Sequence, residues 1–173
     1  MRAVIRIGLF TLVLGLLACT MPAWVNTVES DAEVAVPIAA SLVDVIDPAQ
    51  APLVTLIENG FSALVKTLDT YKASPTAGNL QAVQSAFAAV NSNVTQLESA
   101  AQIKNATTAN TVTQVVALLT QAVAEIAAQV PAPAAAQGAV KATVQAAPKH
   151  WKAKDFKKAF NEIAEHDPRL KKL

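Results

Sequence analysis

The chain has a single cysteine among 173 residues, so no disulfide can form within it and the fold must be held by packing alone. Histidine is almost as scarce. His150 and His166 are the only two, and both stand near the C-terminus. There is no Ser/His/Asp grouping, no His-Glu-x-x-His and no glycine-rich phosphate loop, so the common machinery of hydrolysis, metal catalysis and nucleotide binding is missing. Glu162 and His166 are spaced for one helix face, but two ligands are too few for a closed metal site. This inventory reads as a non-enzyme that needs neither metal nor cofactor. Aromatic residues make up only 5% of the chain and glycine five positions. Strands and hairpins are therefore poorly supplied, and the expectation shifts to helices built from Ala, Val and Leu.

What is present begins at the N-terminus. Arg2 and Arg6 lead into an apolar run from Ile7 to Ala18, interrupted only by Thr11 and two glycines. Such a run has the length of a signal-peptide core and falls short of the roughly 20 residues a spanning helix needs. It ends at Leu16-Leu17-Ala18-Cys19, which resembles a bacterial lipobox. That resemblance implies diacylglyceryl transfer to the Cys19 thiol, cleavage before it, and an acylated N-terminus held on a membrane. Thr20 follows, so the acidic residue that commonly retains such proteins at an inner membrane is absent. Outer-membrane placement is then favoured where two membranes exist. Two other readings stay open: an uncleaved anchor over 3–25 with Trp24 at the interface, and ordinary cleavage after Ala23. All three export the body to the cell envelope, facing the periplasm or the exterior.

The body shows four apolar stripes of helical period. Leu80, Val83, Phe87, Val90, Val94, Leu97 and Ala101 form a heptad seam, and Val112, Val115, Leu119, Ala122, Ile126 and Val130 repeat the spacing. A wider face runs through Leu53, Leu56, Ile57, Phe61, Leu64, Val65, Leu68 and Tyr71. The first stripe (Val28, Ala32, Val36, Ala39, Val43, Ile46) contains Pro37, which is expected to kink or split its helix. Asp47-Pro48-Ala49-Gln50 reads as a helix start, and Ser74-Pro75 and Lys104-Asn105 as breaks. Connections this short make neighbouring helices antiparallel. The expected fold is all-α: an antiparallel up-down four-helix bundle with a separate short C-terminal amphipathic helix. The expected divisions are a signal peptide over 1–18, a lipid-anchored linker over 19–27, the bundle over 28–130, an Ala/Pro-rich linker over 131–148 and a basic tail over 149–173. The heptad seams also suit self-association into a homo-oligomer.

Charge is uneven. The net charge of +1 hides an acidic body and a tail in which eight basic residues face four acids. In that tail Phe156, Phe160, Ile163 and Ala164 fall on one helical face, with lysines around them. Trp151, Lys152, Lys154, Phe156, Lys157, Lys158 and Phe160 are the expected contact residues for an envelope protein, the cell wall or anionic lipid. The blander reading is that the apolar face packs on the bundle and the lysines are simply solvated. Nucleic acid is not an expected partner, because the body is acidic and the chain is exported.

The stretch Thr70-Tyr71-Lys72-Ala73-Ser74-Pro75-Thr76, with the helix after it and Ala101-Gln102-Ile103-Lys104-Asn105, resembles small Ala-rich helical proteins of prophage-like bacterial gene clusters. The likeness spans roughly residues 47–131 and brings no activity with it. The expected function is a non-enzymatic exported lipoprotein: a helical spacer presenting the basic tail helix. A phage-type lysis or membrane-perturbing accessory is the alternative.

Overall fold

The structure is a computed structural model that describes residues 22–100, 106–131 and 151–173, with the side chains of 106–109 set aside. All regular structure among these residues is helical: α1 (Ala23–Ser41), α2 (Ala51–Ala73), α3 (Ala77–Ala100), α4 (Ala106–Gln129) and α5 (Ala153–Ala164). Two short 3-10 turns, Leu42–Asp44 and Pro48–Gln50, join α1 to α2. Cys19 and the signal-like segment lie outside the described residues, as do Ala101, the Lys104-Asn105 break and most of the Ala/Pro-rich linker.

Local sequence accounts for the starts and stops. Asp47 caps the turn into α2, its carboxylate accepting the Ala49 N–H at 2.8 Å, with Pro48 where no amide is needed. Thr76 begins α3 by accepting the Asn79 N–H at 3.2 Å. Pro37 does not split α1, which runs through it as one α-helix from Ala23 to Ser41. That helix also starts inside the stretch expected to be linker, and Val25 is part of the core. The break comes later, at the 3-10 turn Leu42–Asp44, and it throws the first stripe out of register: Val43 is left 45% exposed while Val45 and Ile46 are buried.

Each long helix turns its stripe inward. α1 packs against α2, α4 and α5, α2 against α1 and α3, and α4 against α1, α3 and α5. The core runs through Val28, Ile38, Ile57, Phe61, Leu64, Leu68, Val90, Leu97, Leu119 and Ile126. The stripe readings need two corrections. Leu56 points outward at 54% exposure, its place inside taken by Val54, and Phe87 is only partly buried. Small residues set the closest approaches. Ala32, Ala35 and Ala39 are buried along α1, and Gly60 lets α2 meet α3 so tightly that a Cβ there would sit 2.9 Å from a Val90 methyl. Asn59-Gly60, a hairpin-turn signature taken alone, thus lies within α2, where the glycine serves a helix contact.

The two glycines of the α2–α3 pair should respond oppositely to alanine. Gly60→Ala drives a methyl into the stiff Val90 side chain, and overpacking of about 1–3 kcal/mol outweighs the ~1 kcal/mol gain in helix propensity. Gly78→Ala, at the open start of α3, meets only the Thr76 hydroxyl 4.0 Å away and gains stability. Urea melts of both variants check this, and two shifts of one sign would contradict the contact. In the same assay Phe61→Ala, at a fully buried ring, should cost about 3–5 kcal/mol. Phe87→Ala should cost clearly less.

Candidate functional site

The expected contact residues all fall on or just before α5, and the structure divides them by face. Phe156 and Phe160 are buried with Ala164 in the core, where α5 lies against α1 and α4. They are not available to an outside partner in this arrangement, and α5 is not a separate helix. The physical reason is area. Burying each ring is worth about 1.5–3 kcal/mol, and the four lysines on the other face stay in water without opposing it. Lys152, Lys154, Lys157 and Lys158 are exposed. Trp151 is half-buried, its ring tilted over Phe156 at a centroid distance of 5.2 Å.

Both ends of α5 are tied. The Lys152 N–H donates to the Asp155 carboxylate at 3.0 Å, an acid in the first turn where the helix dipole favours it. Beyond the helix, Asp167 accepts from the Arg169 guanidinium through both oxygens, at 2.9 and 2.6 Å. The Arg169 hydrogen bond is the chief reason the Asp167 carboxyl is held far below the usual carboxylate range. Leu170 is buried, and the Asn161 side chain accepts the Leu173 N–H at 2.8 Å, so the last residues fold back onto α5. Lys172 reaches Glu165 at 2.8 Å.

Two acids, neither singled out from the sequence, occupy the seat of this helix. Asp31 of α1 and Glu125 of α4 are each only 1% exposed. Neither Asp31 oxygen closes a hydrogen bond of ordinary geometry. Burial first, and the Glu125 carboxylate second, push the Asp31 pKa up to about 6, while the Gln129 side chain and the Ala153 backbone pull the other way. Glu125 accepts from Gln121 Nε2 at 3.3 Å. One signal was in the sequence: Glu125 is the only charged residue between Lys104 and Lys141.

Beside this seat an open cleft of about 770 Å³ runs between α4 and α5, with Asn110, Gln114 and Gln121 on one wall and Trp151, Ile163 and His166 on the other. His166 Nδ1 lies 2.8 Å from the Glu162 carbonyl oxygen. Among the described residues, no group of three or more His, Cys, Asp or Glu comes together to hold a metal ion. No protein-family model, curated protein or solved structure matches this chain.

The raised Asp31 pKa has a definite sign. The folded protein holds a proton that the unfolded chain releases at the ordinary value of 3.8. Stability from this group is therefore complete below that value and is lost as pH rises through about 6, by up to about 3 kcal/mol. The protein should melt higher at about pH 5 than at about pH 7.5. Asp31→Asn should raise the melting temperature at the higher pH and flatten that difference. A native protein with equal melting temperatures at both values would show that Asp31 is ionised throughout.

Proposed function

We propose that the protein is a non-enzymatic envelope lipoprotein, tethered through an acylated Cys19, whose helices form a spacer that carries the outer face of α5 to a partner in the envelope. The observation that supports this best is the division of α5 itself: its rings are used up in the fold, and its lysines are left exposed. Within this proposal the four long helices are an antiparallel up-down bundle. Four pairings support that topology. Trp24 packs on Tyr71 at 5.7 Å and Glu29 pairs with Lys72, joining the start of α1 to the end of α2. Gly60 meets Val90, and Gln84 Nε2 donates to the Pro131 carbonyl at 2.5 Å, joining the start of α3 to the end of α4.

A membrane-perturbing role, in which helices open and insert, draws on one observation. Asn110–Gln129 is long and apolar enough to cross a bilayer, at a mean hydropathy of 1.4. A core helix passes the same test, and half of this stretch is buried inside the molecule. The spacer reading therefore stands first, and dye release from vesicles separates the two.

The tether is tested by metabolic palmitate labelling of the full chain and of Cys19→Ser. The native chain should take up label and the serine variant none. Label retained by the variant, or absent from both, would refute acylation at Cys19.

A further inference from the structure

The cationic face of α5 is unusual for where it sits on the helix. Lys152 and Lys154 stand at its first turn, the end at which the helix dipole disfavours positive charge, and Lys157 and Lys158 follow in the next turn. Stability alone would place acids there, and Asp155 is the single one, engaged by the Lys152 N–H. The neighbouring acids neutralise little of the face. Glu162 lies 3.9 Å from Lys158, both well exposed, and Glu165 is taken by Lys172. Among the described residues, no ion pair engages Lys152, Lys154 or Lys157. Helices α1 to α4 and the turns between α1 and α2 include, among the described residues, only two lysines, Lys66 and Lys72, against nine acids, and Lys72 is paired with Glu29. Among the described residues, the first turns of α5 thus concentrate positive charge beside helices that are otherwise acidic.

Its position matters as much as its charge. The first residue of α5, Ala153, is close enough to Asp31 for its backbone to affect that carboxyl. Asp31 stands eight residues into α1, roughly 12 Å along the axis from Ala23. Ala23 in turn is four residues from Cys19, a reach of at most about 14 Å. The lysines therefore lie within reach of whatever surface holds the N-terminus.

We propose that the outer face of α5, through Lys152, Lys154, Lys157 and Lys158, binds the headgroups of an anionic bilayer as a second, electrostatic attachment beside the N-terminal tether. The proposal rests on the tethered reading above, and it deepens that reading by naming the partner. Because Phe156 and Phe160 are held in the core, the attachment sits on the headgroups without inserting rings. It is consequently sensitive to salt. The tether supplies a high local concentration, so a patch of few charges is enough.

Trp24→Phe leaves Trp151, next to these lysines, as the sole tryptophan of the full chain. The variant is reconstituted into vesicles carrying a headgroup spin-labelled lipid, either zwitterionic or with roughly a third phosphatidylglycerol. Trp151 should be quenched in the anionic vesicles at least about twofold more than in the zwitterionic ones, and about 0.5 M salt should remove the difference. Adding Lys154→Glu, Lys157→Glu and Lys158→Glu should abolish it while leaving the melting temperature unchanged or slightly higher, since acids suit the start of a helix. Equal quenching in both vesicle types, salt-resistant quenching, or full quenching of the charge-reversed chain would overturn the proposal. If the charge-reversed chain fails to fold, the salt titration decides alone. Flotation of the native chain with zwitterionic vesicles reads the tether separately, so loss of flotation counts against Cys19 acylation and loss of the anionic preference against the lysine face.

Discussion

The contact on which this structure depends is the burial of Phe156 and Phe160 between α1 and α4. These helices are poor in large side chains, and much of what they bury is alanine and valine, each worth little. Among the described residues three rings, Phe61, Phe156 and Phe160, are fully enclosed, and two of them come from α5. The last helix thereby becomes part of the core. The docking also decides which side of α5 faces solvent. Every functional argument about its lysines follows from the placement of those two rings.

The same contact explains a cost. Closing α5 over α1 and α4 removes water from Asp31 and Glu125, so a chain with few charged residues keeps two carboxylates almost wholly inside. Asp31 meets this by holding its proton to a higher pH. Asp167 goes the other way, ionised and gripped by Arg169 where the chain leaves α5. One acid lies beneath the docked helix and the other at its exit. Their opposite responses reflect the presence or absence of a cationic partner more than depth of burial.

Where the sequence pattern succeeded and failed can be traced to particular residues. The helical stripes were legible because period alone marks which face is wet, and Val83, Val90, Val94 and Leu97 are buried as their spacing requires. Val43 and Leu56 were misplaced because a stripe assumes one continuous register, while a 3-10 turn or a neighbouring Val54 changes which position points inward. Pro37 looked like a break because its missing N–H is a local loss, yet the surrounding helix tolerates it. The buried acids carry no helical-period mark, because exposure of a charge is the rule and no local pattern says when a neighbouring helix will cover one.

By itself the sequence determined the helical class, the long apolar stripes, and the separation of aromatic from cationic residues on the tail. All three follow from residue type and spacing within a few turns. Only the tertiary structure decided that the tail closes on α1 and α4, that Asp31 and Glu125 share its seat, and that the start of α5 lies near Asp31, midway along α1. These are contacts between positions more than ninety residues apart in some cases, and they form because a helix with rings on one face and charges on the other can bury the first only against another helix. The chain pattern named the two faces of α5, and packing chose which one remained to meet a partner.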